Sequence, residues 1–244
     1  MEVLTVMWRE FIFFKRRIGK ITASAVMNPI LYLIAFGWGL GRDVVIEGST
    51  YMHFIIPGII ALSTMNTSFN AVATRINISK LHEKSFEYYL TAPVRMPLMA
   101  LGHILSGALR GMYAAALIVF VSYIFGIKLD VDVYFIIVCF LNSFLFSALG
   151  YGAALSIDSH YDMNRFTTYI MMPMSFLCGT FFSLNNLPLA IKKIISILPL
   201  SQASISLRGI VLRGEFHYKA ILVLLIYSIG LYIIGVYMSF REMK

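Results

Sequence analysis

Long apolar runs separated by short polar segments dominate the chain. The runs are Ile21–Leu40, Met52–Ala73, Leu98–Phe125, Val133–Ile157, Phe166–Leu184 and Ala220–Phe240. Each approaches or exceeds the roughly 20 residues that an α-helix needs to cross the hydrocarbon core of a bilayer. None shows the alternating pattern of a barrel strand, and a spanning backbone must satisfy its own hydrogen bonds. The pattern predicts an all-α polytopic membrane protein with six transmembrane helices.

The first twenty residues have the pattern of an amphipathic helix rather than the uniformly apolar pattern of a membrane span. Val3, Met7, Phe11, Phe14 and Ile18 recur at helical spacing, and Glu2, Arg9, Arg16 and Lys20 fall on the opposite side. This pattern predicts an amphipathic helix over residues 1–20 that lies in the cytoplasmic interface. The helix serves either as an anchor alone or also as a contact for another protein.

The connection between the fifth and sixth runs, residues 185–219, is partly apolar. Its apolar stretch is short, carries Lys192 and Lys193, and lies between Pro188 and Pro199. A segment of that kind is more often re-entrant or interfacial than spanning. We therefore expect two short helices that dip into the outer leaflet, rather than a seventh span.

Composition and charge fit one membrane domain over residues 1–244. The chain is 59% hydrophobic and 13% charged, whereas a soluble domain carries about 25% charged residues. The net charge of +8 comes from Lys and Arg beside the apolar runs, which suits anionic headgroups rather than nucleic acid. The positive-inside rule then places both termini in the cytoplasm.

The sequence does not show the residues expected for ATP binding, ion coupling, catalysis or metal binding. The one Gly-Lys pair, Gly19-Lys20, lacks the rest of a phosphate-binding loop. All twelve acidic residues lie outside the apolar runs, which argues against ion-coupled transport. The histidines are scattered, and Cys139 and Cys178 lie within apolar runs as reduced thiols. We expect no catalytic, cofactor or metal site, and a partner that supplies energy.

The loop over residues 75–97 mixes charged and aromatic residues. Glu83, Phe86, Glu87, Tyr88 and Tyr89 precede Pro93, which predicts a short cytoplasmic helix. Its composition fits a protein contact, and it equally fits a helix resting on lipid headgroups.

Side chains that could line a path for a greasy substrate lie in the second, third and fifth runs. They are Met65, Phe69, Met172, Phe176 and Arg110. At helical spacing, methionines and aromatics also serve as packing or lipid-facing residues, and Arg110 could meet a neighbouring helix instead of a substrate. The pairs Gly107/Gly111 and Gly37/Gly41 predict close helix packing.

Taken in order, several segments resemble the permease subunits of ABC-2 type exporters, in the branch of the daunorubicin-type and nodulation-factor exporters. The segments are Asn28–Gly41, Tyr51–Gly58, Tyr89–Val94, Met172–Phe182 and Leu198–Gly214. The resemblance covers nearly the whole chain and specifies a family rather than a substrate.

The resemblance implies partners that composition does not show. Such a permease pairs with a second copy and with two cytoplasmic ABC ATPase subunits, which bind the ATP and magnesium. Residues 83–90 would be the coupling helix, the N-terminal helix would also touch the ATPase, and residues 188–213 would form a re-entrant hairpin. The path would run between the two copies along spans two and five.

The expected function is therefore ATP-driven export of a hydrophobic drug, a lipid, or a lipid-linked or polymeric saccharide. Two alternatives stay open at this point. One is a transporter or channel that works without an ATPase, and the other is an assembly factor or intramembrane enzyme.

Overall fold

The protein is almost entirely helical, and a computed structural model describes residues 2–40, 45–46, 49–81, 95–184 and 187–242. The helices are α1 Glu2–Arg16, α2 Ile18–Tyr32, α3 Tyr51–Leu81, α4 Met96–Ile124, α5 Val133–Ser156, α6 His160–Phe166, α7 Met172–Leu177, α8 Leu189–Ile197, α9 Pro199–Arg213 and α10 Tyr218–Glu242. Residues Leu33–Leu40 continue α2 as a π-helix, and Thr167–Met171 join α6 to α7 in the same way. Strands β1 Val45–Ile46 and β2 Ser49–Thr50 pair antiparallel. The all-α prediction is confirmed.

Five helical segments of the described chain are long and apolar enough to cross a membrane. They are Ile18–Phe36, Tyr51–Lys80, Met96–Ile124, Val133–Ser156 and Tyr218–Arg241. They correspond to the first four and the last of the six predicted spans. Helices α8 and α9 pass the same test only as a pair, bent by 97° at their junction. The chain is thus a polytopic membrane protein with five or six candidate spans.

The fifth predicted span, Phe166–Leu184, has the wrong bounds at both ends. Its helical backbone begins at His160, where the Ser159 hydroxyl accepts a hydrogen bond from the Tyr161 amide, and it ends at Leu177. Gly179 follows with a left-handed φ of 72°, a conformation that suits glycine and stops a helix. A polar N-cap and a glycine turn therefore set the bounds, rather than the apolar run.

This interrupted helix nevertheless runs the length of α3. It starts two residues after Asp158, whose carboxylate accepts a 2.7 Å hydrogen bond from Lys80 near the end of α3. It leads to Phe181, whose carbonyl accepts a 2.8 Å hydrogen bond from the Tyr51 hydroxyl at the start of α3. Lys80 and Tyr51 lie at opposite ends of α3. Helices α6 and α7 therefore connect the two ends of the bundle.

Helix α3 occupies the centre, where small and polar residues bring it close to α4 and α5. A Cβ added at Gly111 of α4 would overlap the Ser143 side chain of α5 and come within 3.1 Å of Ser68 of α3. The fully buried Asn142 donates hydrogen bonds to the Ala61 carbonyl (3.0 Å) and the Thr64 hydroxyl (2.8 Å). The predicted close packing at Gly107/Gly111 is confirmed. Gly41 of the second pair lies outside the described residues.

Helices α8 and α9 form a bent hairpin at the end of the bundle where α3 begins. Ser183, before the hairpin, and Arg213, at its end, line one crevice of about 290 Å³, so the chain enters and leaves at the same end. The buried Arg208 donates hydrogen bonds to the carbonyls of Phe54 (3.2 Å) and Gly179 (2.8 Å). Its guanidinium also lies 3.8 Å from the centre of the Phe54 ring. One side chain of α9 thus joins the hairpin to α3 and to the turn after α7.

Candidate functional site

Helix α1 runs alongside α4 in the same direction. Every fourth residue of α1 contacts α4, and the contacts follow the order of residues in both helices. Glu2 accepts a hydrogen bond from the Arg95 amide, and Val6 packs on Gly102. Further along, Glu10 binds Arg110, and the Phe14 ring lies 5.2 Å from the Tyr113 ring. Residues four apart share one side of a helix. One complete side of α1 is therefore built to face α4.

The Glu10 carboxylate is the centre of a buried charge cluster. Its Oε2 accepts a 3.1 Å hydrogen bond from Arg110, and its Oε1 lies 3.1 Å from Arg9 and 3.7 Å from Arg75. Glu10 and Arg110 are only 4% and 9% exposed. The cluster therefore links α1 to α3 and α4 through charge, in addition to the apolar contacts of Val6 and Phe14 with α4. Removing one partner of such a group would leave an uncompensated buried charge.

The structure shows what the sides of the N-terminal helix contact. Glu2, predicted on the polar side, accepts a hydrogen bond from the Arg95 amide at the start of α4. Leu4, Trp8 and Phe11 lie on an apolar side and are between 52% and 69% exposed. The helix also ends at Arg16, so residues 18–20 already belong to α2. Its location in the membrane interface stays a prediction.

A polar crevice of about 480 Å³ lies between α2 and α3, beside the charge cluster. Its lining from α1 and α2 is Phe13, Arg17, Lys20, Ile21, Ser24, Ala25 and Asn28. Its lining from α3 and α4 is Asn66, Thr67, Asn70, Ala71, Thr74, Arg75, Ile78 and Arg110. The spacing follows one side of each helix. Among these lining residues there are four cations and no carboxylate.

The predicted path residues fall into three different surroundings. Met65 and Phe69 are buried within the core of one chain, and Phe69 stacks on Phe166 at 5.8 Å. Met172 and Phe176 are about half exposed on α7. Arg110 binds Glu10 and lines the polar crevice. The five residues therefore do not form one surface of the single chain, and their role in a path stays a prediction.

The predicted coupling residues Glu83, Phe86, Glu87, Tyr88 and Tyr89 lie outside the described residues. The structure does describe both flanks of that segment. Lys80 donates hydrogen bonds to Asp158 and to the Leu155 carbonyl, while the Arg95 amide donates to Glu2. Of the two described flanks, Lys80 is therefore attached to α5 and its following turn, and Arg95 to α1.

Comparison with known proteins identifies this helical architecture. The sequence model of the ABC-2 type transporter family matches residues 1–212, which is most of the chain. The chain belongs to the ABC-2 type transporter family. The match includes α1, the interrupted helix α6–α7 and nearly all of the bent hairpin.

Named permeases from several bacteria are similar to this ABC-2 permease. "Inner membrane transport permease YadH" of Escherichia coli K12 is 28% identical over 179 residues, covering 70% of this chain and 69% of YadH. "Nodulation protein J" of Rhizobium meliloti is 26% identical, covering 79% and 76%. "Daunorubicin resistance ABC transporter permease protein DrrB1" of Streptomyces coeruleorubidus is 23% identical, covering 93% and 81%.

Two features of the permease were not predicted from its sequence. The first feature is the burial of Glu10, which lies outside the apolar runs of the sequence. Its carboxylate contacts Arg110, and Arg110 lies inside one of the candidate spans. The second feature is the pair of amides Asn66 and Asn70, which interrupt the second apolar run at a spacing of four residues. That spacing was the available signal, because two amides on one side of a span rarely face lipid.

Proposed function

We propose that this chain is the membrane subunit of an ATP-driven exporter in the cytoplasmic membrane of a bacterium. Two copies would assemble with two cytoplasmic ABC ATPase subunits, which bind ATP and magnesium. The cargo would be a hydrophobic drug, a lipid, or a lipid-linked or polymeric saccharide. The observation that carries the proposal is the family match over residues 1–212, and the names of relatives such as YadH and DrrB1 support a transport role.

The proposed topology has six spans with both termini in the cytoplasm. In it, α6–α7 is the fifth span, and the hairpin α8–α9 re-enters from the outside. The paired ends of the hairpin at Ser183 and Arg213 support this placement, as does the path of α6–α7 along α3. Helix α1 would begin at the cytoplasmic interface beside Arg95 and follow α4 from there, with Trp8 and Phe11 turned towards lipid.

Residues 82–94 are the proposed contact for the ATPase. When ATP closes the ATPase dimer, this segment would move, and its flanks would pass the movement to the membrane helices. The attachments at Lys80 and Arg95 support that route, since one leads to α5 and the other to α1. The permease pair would then shift between two packed states and open a path for the cargo.

Co-purification with a candidate ABC ATPase subunit from the same organism tests this proposal. Replacing Glu83, Phe86 and Tyr89 with Ala is expected to weaken the complex and to abolish stimulation of ATP hydrolysis. The matched control replaces Glu215, Phe216 and Tyr218 with Ala, because these are the same residue types and are exposed at the other end of the bundle. The control complex should remain intact.

Two results would contradict the proposal. The first is an undiminished complex with normal stimulation in the loop variant. The second is transport by the permease alone, driven by an ion gradient in vesicles that contain no other protein.

A further inference from the structure

The polar crevice has a cationic end and an amide end. The guanidinium groups of Arg17 and Arg75 both lie 4.8 Å from the centre of the Phe13 ring, so the cations of α2 and α3 converge there. Tyr32, at the end of α2, contacts Phe181, which bonds to Tyr51 at the start of α3. Helices α2 and α3 are therefore antiparallel, and Asn28 lies towards the amides of α3, away from the cations.

The lining of the cationic end is positively charged. Four of the lining residues, Arg17, Lys20, Arg75 and Arg110, are cations, and no lining residue is a carboxylate. The Glu10 carboxylate beside the crevice contacts Arg110 through one oxygen and Arg9 and Arg75 through the other. A ligand with more than one negative charge would lower the electrostatic energy of this cluster, whereas a cationic ligand would raise it.

The amide end is exposed at a depth where lipid would be unfavourable. Asn28, Asn70 and Thr74 are all exposed, although they belong to two of the candidate membrane spans. The Asn70 amide donates one hydrogen bond, to the Asn66 carbonyl (2.8 Å), and each further donor or acceptor of such an amide that faced hydrocarbon without a partner would cost free energy. This side of α2 and α3 is therefore built to face water or a polar ligand.

We propose that this crevice binds the phosphate-bearing headgroup of an anionic amphiphile, with the phosphate at the cationic end and headgroup hydroxyls at the amides. Arginine forms paired hydrogen bonds with phosphate oxygens, and Asn side chains both donate to and accept from hydroxyls. The inference rests on the proposed export function, because it names the class of cargo: phosphorylated lipids rather than cationic drugs.

An amphiphile fits the crevice better than a free anion does. The crevice lies between two candidate spans, and Phe13, Ile21 and Ile78 give it apolar walls beside its polar groups. A headgroup can reach the cations while its chains stay in the bilayer. Free phosphate would gain nothing from these apolar walls.

Lipid binding to the purified permease tests the proposal, with dioleoyl phosphatidic acid and dioleoyl phosphatidylcholine as probes in native mass spectrometry. The wild-type chain should bind phosphatidic acid at least about tenfold more tightly. Because each basic residue contributes on the order of 1 kcal/mol to attraction of an anionic lipid, Arg17→Gln with Lys20→Gln should lower that affinity by about tenfold or more. Arg17→Lys with Lys20→Arg should retain it.

A matched control removes the same charge from the adjacent turn. Lys15→Gln with Arg16→Gln alters exposed cations that do not line the crevice, so phosphatidic acid affinity should change by less than about twofold. The proposal is overturned if both lipids bind equally, if the control loses as much affinity as the crevice variant, or if inorganic phosphate at millimolar concentration displaces the lipid.

Chemical labelling gives an independent readout. Cys139 and Cys178 are buried, and in a chain carrying Cys139→Ala and Cys178→Ala, an Asn70→Cys substitution should react with a charged, membrane-impermeant thiol reagent. Phosphatidic acid should slow this reaction, and phosphatidylcholine should not. No reaction at residue 70, or no protection, would overturn the proposal. Neither test needs ATP or the ATPase, so a failure here is separate from a failure of the proposed export mechanism.

Discussion

At the scale of the residue, Glu10 and Arg110 show how a charge is accommodated within a span. Arg110 lies in α4, and Glu10 is brought to it by a different helix. Arg9 and Arg75 share the same carboxylate. The two partners therefore differ in the number of opposite charges around them. Several cations lie near Glu10, whereas one described carboxylate lies near Arg110.

This asymmetry predicts unequal costs for the two neutralising substitutions. Glu10→Gln should destabilise the permease by about 3–5 kcal/mol, because it leaves the buried Arg110 without its counter-ion. Arg110→Gln should cost less, since Arg9 and Arg75 remain beside Glu10. Retention of the monodisperse peak in size-exclusion chromatography after heating measures the order. A larger loss for Arg110→Gln would contradict the asymmetric cluster.

A second prediction concerns the close approach of α4 to α5. Gly111→Ala should destabilise the protein by about 1–3 kcal/mol, because the new methyl group would overlap Ser143. Gly230→Ala in α10 is the matched control, as a Cβ there meets no atom within 4 Å. The control should be neutral or slightly stabilising, since Ala favours helix over Gly. Equal thermal stability of the two variants would contradict the packing seen at Gly111.

The sequence predicts residue types in this site better than it predicts their neighbours. The cost of a charge in a span indicates that Arg110 needs a partner, but spacing along one helix does not reveal that Glu10 of another helix supplies it. The chemistry of Met65 suits a path for an apolar substrate, but its burial places it in the core. Asn70, one turn further along, is the exposed residue.

At the scale of the element, apolar runs predict uninterrupted helices well and interrupted ones poorly. The bounds of α4 and α5 lie within about two residues of the predicted runs. The helix from His160 to Leu177 does not, because its start is set by a polar cap and its end by Gly179. Local turn chemistry of this kind is independent of the hydrophobic pattern.

The hairpin α8–α9 yields a prediction at this scale. Arg208→Met keeps an unbranched side chain but removes the donors to Phe54 and Gly179 and leaves those carbonyls without this partner. The hairpin should separate from α3 more often, and trypsin should cleave faster after Lys192 and Lys193. Lys219→Met, an exposed change near the hairpin, is the control and should leave the cleavage rate unaltered. Equal rates in the two variants would show that Arg208 does not hold the hairpin.

At the scale of the whole molecule, the two ends of the bundle carry different elements. One end holds Lys80, Asp158 and the start of α4, while the other holds Tyr51, the turn after α7 and both ends of the hairpin. A hairpin that enters and leaves at one end adds cations there without adding a span. In the proposed topology, the basic residues of 185–219 lie at the outer end as part of this hairpin and leave both termini on the cytoplasmic side.

Accessibility of single cysteines to an impermeant thiol reagent tests this arrangement in cells. In a background with Cys139→Ala and Cys178→Ala, Leu189→Cys and Lys219→Cys should both react from the outside, because the hairpin returns to the end where it starts. Asn164→Cys and Arg241→Cys should react only after the membrane is permeabilised. If α8–α9 crossed the membrane as one bent span, residues 189 and 219 would lie on opposite sides. A reaction at one of these two positions, with protection of the other in intact cells, would contradict the re-entrant hairpin and move one terminus out of the cytoplasm.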